Sequence, residues 1–271
     1  MTAHTPLTVL QRSRGEAAVA LSLRDGRVRL DRLRQQGSAK AILPRTGAVT
    51  EIVFLNTSGG LTGGDRLSFA VDVGAGCRAV ATTQTAERAY RSSGGVARVD
   101  VALSVGAGGH LDWLPQETIL FDASALERRT RIELGAGAEC LALEAVVLGR
   151  AAMGETVEHL SFRDRREIWR GSAPVFIEPV ALGDVALGAG DAVLGGARCF
   201  ASIVMVADGA GDALGPLRAV LDETGVEAAA SAFDGKLTCR MRAADGWPLR
   251  RQIARALGVL RRGPLPRVWQ M

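Results

Sequence analysis

Aromatic side chains make up only 4% of the 271 residues, with a single tyrosine. That poverty argues against a stacking platform for single-stranded nucleic acid or for sugar rings. Lysine is scarcer still: Lys40 and Lys236 are the only two, so nearly all of the 33 Lys+Arg are arginine. Arginine is the better residue for bidentate pairing with carboxylates at interfaces. No dense basic run accompanies the net charge of +4, so nucleic acid is not an expected partner. Three histidines and four cysteines complete the shortages. Cys77, Cys140, Cys199 and Cys239 are far apart, with no CxxC pair and no histidine close by, so no zinc-binding pattern exists. They read as small core residues of a protein in a reducing, cytoplasmic setting. The longest strongly apolar stretch, 199–207, is far too short to span a membrane. The opening MTAHTPLTVLQRSRGE lacks the apolar core of a secretory signal. There is no Gly-x-Ser-x-Gly elbow and no His-Glu-x-x-His. With so few histidines a Ser/His/Asp machine is not expected.

What the chain has is the balance of an ordinary globular protein, 47% apolar and 23% charged, and an excess of glycine, 33 residues. A Gly-Ala-Gly phrase recurs at 74–76, 106–108, 135–137 and 188–190. Each copy follows an apolar strand end and precedes a new apolar run, with glycine supplying positive φ where the chain reverses. The first three copies start 32 and then 29 residues apart. Between them the pattern alternates: Val99, Val101, Leu103 and Val105 share one face, and so do Leu141, Leu143, Ala145 and Val147. This spacing predicts strands stacked in layers, as a β-sandwich or a β-helix-like stack. Two short helices are expected late in the chain. One covers 215–225, with Pro216 in its first turn and Gly225 as its stop. The other covers 247–263, with Pro248 near its start and Leu249, Ile253, Leu257 and Leu260 as its apolar stripe. No linker is long or polar enough to divide the chain, so 1–271 reads as one mostly-β domain with a loosely ordered 1–15.

Three local sequences stand out. In Leu55-Asn-Thr-Ser-Gly-Gly-Leu-Thr-Gly-Gly-Asp65-Arg66 two Gly-Gly pairs precede an acid. No Gly-Lys-[Ser/Thr] follows and no helix opens there, so this is neither a P-loop nor a dinucleotide fingerprint. It reads as backbone passing very close to another segment and ending on a fixed aspartate, or as a plain glycine-rich connection. Trp113-Leu-Pro-Gln-Glu-Thr-Ile-Leu-Phe-Asp122 carries Glu117 and Asp122 amid apolar residues, where acids need a partner or water. Thr82-Thr83 through Glu87-Arg88 to Tyr90-Arg91-Ser92 is a polar segment, either an interaction loop or a loop closed by an ion pair. A pair of carboxylates could do acid–base work, but the sequence singles out no pair.

Gly59-Gly60-Leu-Thr-Gly63-Gly64-Asp65-Arg66-Leu67, Thr82-Thr83 with Tyr90-Arg91-Ser92, Trp113-Leu-Pro115-Gln116-Glu117-Thr-Ile-Leu-Phe121 and the closing Pro264-Leu-Pro266-Arg-Val-Trp269 resemble, in this order, the UreD (UreH) family of urease accessory proteins. The resemblance runs from about Arg27 to Trp269. One departure is that some members carry prolines where this chain has Thr57 and Ser58. The resemblance implies a non-enzymatic maturation factor with an unusual mostly-β fold. Such a factor binds apo-urease, and it recruits UreF and, through it, the GTPase UreG. It implies no permanently bound cofactor and a transient passage of Ni²⁺. A strong site would trap the ion, whereas dispersed oxygen ligands would let it move. Asp65, Glu117, Asp122, Glu144 and Glu178, isolated acids beside glycine-rich or apolar segments, are the candidates for such a path. Each is equally open to an ordinary ion pair with an arginine. Pro248, Ile253, Leu257, Leu260, Pro266 and Trp269 are the candidates for a UreF-facing surface. The competing readings are a β-stack lyase or glycosidase using two carboxylates, and a purely structural interaction protein with no metal path.

Overall fold

Successive coils of the chain are set by stacked turns. The computed structural model describes residues 11–44, 47 and 49–269. In chain order its strands are β1 (Arg14–Arg24), β2 (Arg27–Gly37), β3 (Ala39–Ile42), β4 (Thr50–Asn56), β5 (Arg66–Val73), β6 (Arg78–Thr83), β7 (Glu87–Ala89), β8 (Ala97–Val105) and β9 (His110–Leu114). They continue as β10 (Thr118–Leu120), β11 (Ser124–Leu134), β12 (Glu139–Leu148), β13 (Leu160–Arg170), β14 (Ala173–Gly183), β15 (Cys199–Val206), β16 (Val226–Phe233) and β17 (Lys236–Ala243). The helices are α1 (Asp184–Leu187), α2 (Leu214–Arg218) and α3 (Gly246–Leu260). The first sheet runs β14-β13-β11-β8-β5-β1-β2 and the second β16-β17-β15-β12-β9-β6-β4-β3, with β10 and β7 joined beside β12. From β5 to β13 the main strands alternate between the sheets. Each sheet therefore gains one parallel strand per coil: β5, β8, β11 and β13 in the first, β6, β9 and β12 in the second. The expected mostly-β layered stack is the observed one.

The first three Gly-Ala-Gly turns lie one above the next. Gly76 N donates to Ala107 O and Gly108 N to Ala136 O, both at 2.9 Å. The two glycines of a turn do different work. The second, as at Gly108 (φ 63°), takes the left-handed conformation. The first leaves room for the neighbouring turn, because a Cβ on Gly106 would stand 2.5 Å from Ala75 N. The fourth copy does not join the stack. It follows α1, and Gly190 opens a single 3-10 turn.

The alternation sorts faces as expected. Val99, Val101, Leu103 and Val105 enter the core between the sheets. Strand β12 is buried on both sides: Cys140, Ala142 and Val146 face that core, while Leu141, Leu143 and Ala145 face a second one under α2 and α3. Burial pushes the thiols of Cys140 and Cys199 up to about 12, which leaves them inert core residues.

The later helix is the expected one. Asp245 caps it by accepting from Trp247 N, and Leu249, Ile253, Leu257 and Leu260 are buried. The earlier helix is shorter than expected and ends at Arg218 rather than near Gly225. Past it the chain spends its backbone groups on the side chain of Gln252, which accepts from Glu223 N and donates to Val220 O. A four-residue α1 was not expected. Of the segment 1–15, expected to be loose, residues 1–10 lie outside the described residues. Arg14 and Gly15 already belong to β1, and Ser13 N donates to Asp65 at 2.7 Å.

Candidate functional site

The glycine-rich loop does pass against another segment. Leu61 exchanges backbone hydrogen bonds with Arg88 and Tyr90, each 2.7 Å. A Cβ on Gly60 would stand 2.4 Å from the Tyr90 ring, and one on Gly63 2.1 Å from Ser92 Oγ. Tyr90 returns its hydroxyl to Gly59 O at 2.9 Å. Gly64 has a φ of 92°. Asp65 is buried and fixed by two backbone donors, Ser13 N at 2.7 Å and Thr62 N at 2.8 Å. Arg66 points outward at the start of β5. Close by, Arg91 pairs with Asp122 at 2.6 Å. The amides of His159 and Glu158, then Arg91, hold the Asp122 carboxyl below the usual range.

The segment Trp113–Glu117 is where the end of the chain is tied down. Trp269 donates to Leu114 O at 3.1 Å and lies by Thr82, whose hydroxyl donates to the same carbonyl at 2.6 Å. Thr83 Oγ1 accepts from Gln116 N, and the Gln116 amide donates to Val268 O. Arg250 of α3 donates to Gln116 Oε1 at 2.6 Å, pairs with Glu117 at 3.2 Å and lies over the Trp269 ring. Pro115 and Pro266 are buried in the same region. This corrects the expectation of a partner-facing surface there. Ile253, Leu257, Leu260, Pro266 and Trp269 are buried in this chain, and Pro248 is half-buried. An apolar stripe on a terminal helix is satisfied here by the second sheet.

Beneath Trp113 the space between the sheets holds charge. Arg128 pairs with Asp164 at 2.5 Å and with Glu144 at 2.8 Å, all three buried, and donates to Thr118 Oγ1 at 3.0 Å. Glu144 also accepts from Trp113 Nε1 and Thr130 Oγ1 at 3.3 Å. Burial raises the Glu144 carboxyl above its ordinary range despite Arg128. Burial opposes the charge on Arg128, but Asp164 and Glu144 outweigh it and hold the guanidinium above its usual value. Glu178 is not the lone carboxylate its apolar flanks suggest. It lies 2.6 Å from buried Arg166 and 2.9 Å from Arg240, and accepts from Ser202 at 3.1 Å. Burial works against its charge, but Arg166 and these donors pull the carboxyl below its usual range.

Two cavities meet near this cluster. One, of about 40 Å³, is lined by Phe69, Trp113, Thr118, Arg128 and Glu144 among others. The other, of about 60 Å³, reaches exposed Thr85 and Arg88. Phe69, Thr83 and Glu87 line both. Glu87 has no ion pair among the described residues; its oxygens accept from Asn56 Nδ2 at 3.3 and 3.2 Å and from Arg88 N at 3.1 Å. Burial pushes its carboxyl up, against those hydrogen bonds.

Of the five candidate acids, then, only Glu144 lines this space. Glu117 pairs with Arg250, Glu178 is clamped between Arg166 and Arg240, and Asp65 and Asp122 belong to the loop end. Among the described residues no three His, Cys, Asp or Glu side chains converge as a metal-holding group. Sequence reasoning missed Glu87, Arg128, Asp164 and Arg166 as members of the site. A signal existed for three of them. Leu126, Arg128, Thr130 and Ile132 alternate in β11, as do Phe162, Asp164, Arg166 and Ile168 in β13, so these charges share the core face.

Fold and site together define a two-layer β scaffold, sealed by a C-terminal helix and tail, whose interior holds an Arg128–Glu144–Asp164 cluster beside a small cavity. The sequence model described as UreD urease accessory protein matches residues 13–270, and the chain belongs to that family. A protein of Cereibacter sphaeroides (strain ATCC 17025) named urease accessory protein UreD is 68% identical over 268 residues, 98% of each chain. A namesake from Paracoccus denitrificans is 52% identical over 97% of this chain and 94% of its own. Another, from Rhizobium leguminosarum bv. viciae, is 46% identical over 100% of both.

Proposed function

We propose that the chain serves urease maturation in the cytoplasm as a non-catalytic scaffold. It joins apo-urease to UreF and, through UreF, to UreG, and gives Ni²⁺ a passage toward the urease active site. The observation that carries the passage is the pair of adjoining cavities that share Glu87 and lead from exposed Thr85 and Arg88 inward to Glu144. Glu87, Thr83, Thr118 and Glu144 offer scattered oxygens, a set that binds a divalent ion weakly and releases it. The Arg128–Glu144–Asp164 group sets two carboxyls against one guanidinium, and Glu87 adds a third carboxyl that has no ion pair among the described residues. A space of about 40 Å³ admits water, which spares these groups the full cost of burial. A two-carboxylate enzyme is less well supported, because Glu144 and Asp164 are both locked onto Arg128 in a buried space.

The test is activation of urease by the purified complex at limiting nickel. Glu87→Ala lowers activation while capture of UreF and apo-urease stays intact, and excess nickel restores part of the loss. Full activation by Glu87→Ala together with Glu144→Gln, with both partners bound, leaves the scaffold without the passage. Catalytic turnover of a sugar by the isolated chain would favour the enzyme reading.

A further inference from the structure

Strand β2 is an edge of the first sheet, eleven residues long and exposed on nearly every one. Its two faces differ sharply. Arg29, Arg32 and Arg34 pair in register with Ser22, Ala20 and Ala18 of β1, on the outer face of the sheet. Leu30 and Leu33 pair with Leu21 and Val19, which face the core between the sheets. The second sheet ends at the four-residue β3, and Leu30 and Leu33 stay 47% and 41% exposed. Of the arginines on this strand, Arg34 pairs with Glu16, while Arg27, Arg29 and Arg32 have no acidic partner among the described residues.

We propose that β2 is an interaction edge that accepts an extended acidic segment of a partner protein as an added strand. Its carboxylates lie along the arginine face and its apolar side chains cover Leu30 and Leu33. An edge strand carries a row of unpaired N–H and C=O groups, and proteins ordinarily blunt it by shortness, proline, bulges or charge. Strand β2 is neither short nor interrupted by proline, and its charge, four arginines against one aspartate, guards it against a like strand but not against an acidic one. Its one irregularity is the bulge at Asp31, which is tied back by Arg24. The ladder supplies affinity and the alternation supplies selection, as in other strand-addition complexes. Charge also excludes a second copy of this chain as the occupant. Two β2 edges side by side would bring arginine against arginine on one face, where like charges oppose pairing. An acidic strand meets the opposite situation.

The experiment uses the full chain and a blocked nine-residue peptide of alternating glutamate and valine, followed by fluorescence anisotropy and amide exchange. The expected result is saturable binding that weakens at least about tenfold between 50 and 300 mM salt, with new amide protection within 27–37. The same peptide with alternate backbone nitrogens methylated keeps its charge, loses the ladder and does not bind. Arg29→Glu/Arg32→Glu/Arg34→Glu abolishes binding with an unchanged near-ultraviolet spectrum. If that variant misfolds, the methylated peptide and the exchange map on the native chain still decide. The idea is overturned by no saturable binding at millimolar peptide, by equal binding of the methylated peptide or of a lysine–valine peptide, by protection on another edge, or by self-association of the chain through β2.

Discussion

Glu87 shows what a buried acid without an ion pair does to its own protein. Its carboxyl is raised by burial, so ionising it in the folded state costs stability above the ordinary glutamate value. Below that value folded and unfolded chains are both protonated and the cost vanishes. Glu87→Gln should therefore raise the melting temperature at pH 7, with the gain shrinking toward pH 4, while it lowers urease activation. A gain in stability with loss of activation marks a residue kept for function. Glu167 is the opposite case. Arg165 foremost, against the burial that opposes it, and then Trp169 and Arg129 hold its carboxyl down to about 2. Its contribution is complete above the ordinary value of 4.5 and is lost as pH falls through about 2. Glu167→Gln should lower the melting temperature at pH 7, and the gap to the native chain should close toward pH 2. Glu167 was not legible as special in the sequence, and Glu87 was legible only as a member of a polar segment. Glu87 sits in a polar run beside Arg88, and only the fold reveals that the space around it is enclosed.

At the scale of elements, the glycine turns were the most legible feature, and their physics explains why. A stacked coil needs both a reversal and a close approach, and glycine is the residue for each. The two requirements separate by mutation. Gly106→Ala drives a Cβ into Ala75 and should cost about 3 kcal/mol by overpacking. Gly108→Ala meets open space and should cost only about 1 kcal/mol for the left-handed backbone. Urea unfolding of the two variants measures the difference, and equal losses would mean that the turns are not locked together. The pattern gave no warning that the fourth Gly-Ala-Gly leaves the stack. Its local signal is the same, and only the missing neighbour above it distinguishes it. The early end of α2 was hidden in the same way, because Gln252, 34 residues beyond Arg218, supplies the competing hydrogen bonds.

At the scale of the molecule, helix α3 and the tail are a lid on the second core. Their apolar stripe was legible from its period, but periodicity fixes which face is apolar, not what it meets. Leu257 is fully buried there, and Leu257→Ala should cost about 2–5 kcal/mol, read by thermal or urea unfolding. Truncation after Pro266 removes Trp269 and should expose Leu114 O, Thr82 and the Arg250 head group to water. The expected result is faster amide exchange in 113–118 with the first-sheet strands β5, β8 and β11 still protected. Loss of protection throughout would instead make the tail part of one cooperative unit.

That tail has a consequence for the order in which the protein is made. A stack of coils can form from its first turn onward as the chain emerges, each new strand finding the previous one already waiting. The contacts of Trp269 with Leu114 and Thr82 span 155 and 187 residues, so they are among the last to close. Until Trp269 has left the ribosome, the Trp113–Glu117 segment stands uncovered, a patch open to chaperones and proteases. A chain that lacked Trp269 would stay in that condition for good, so the docking of this one tryptophan reports that the coils beneath it have already formed.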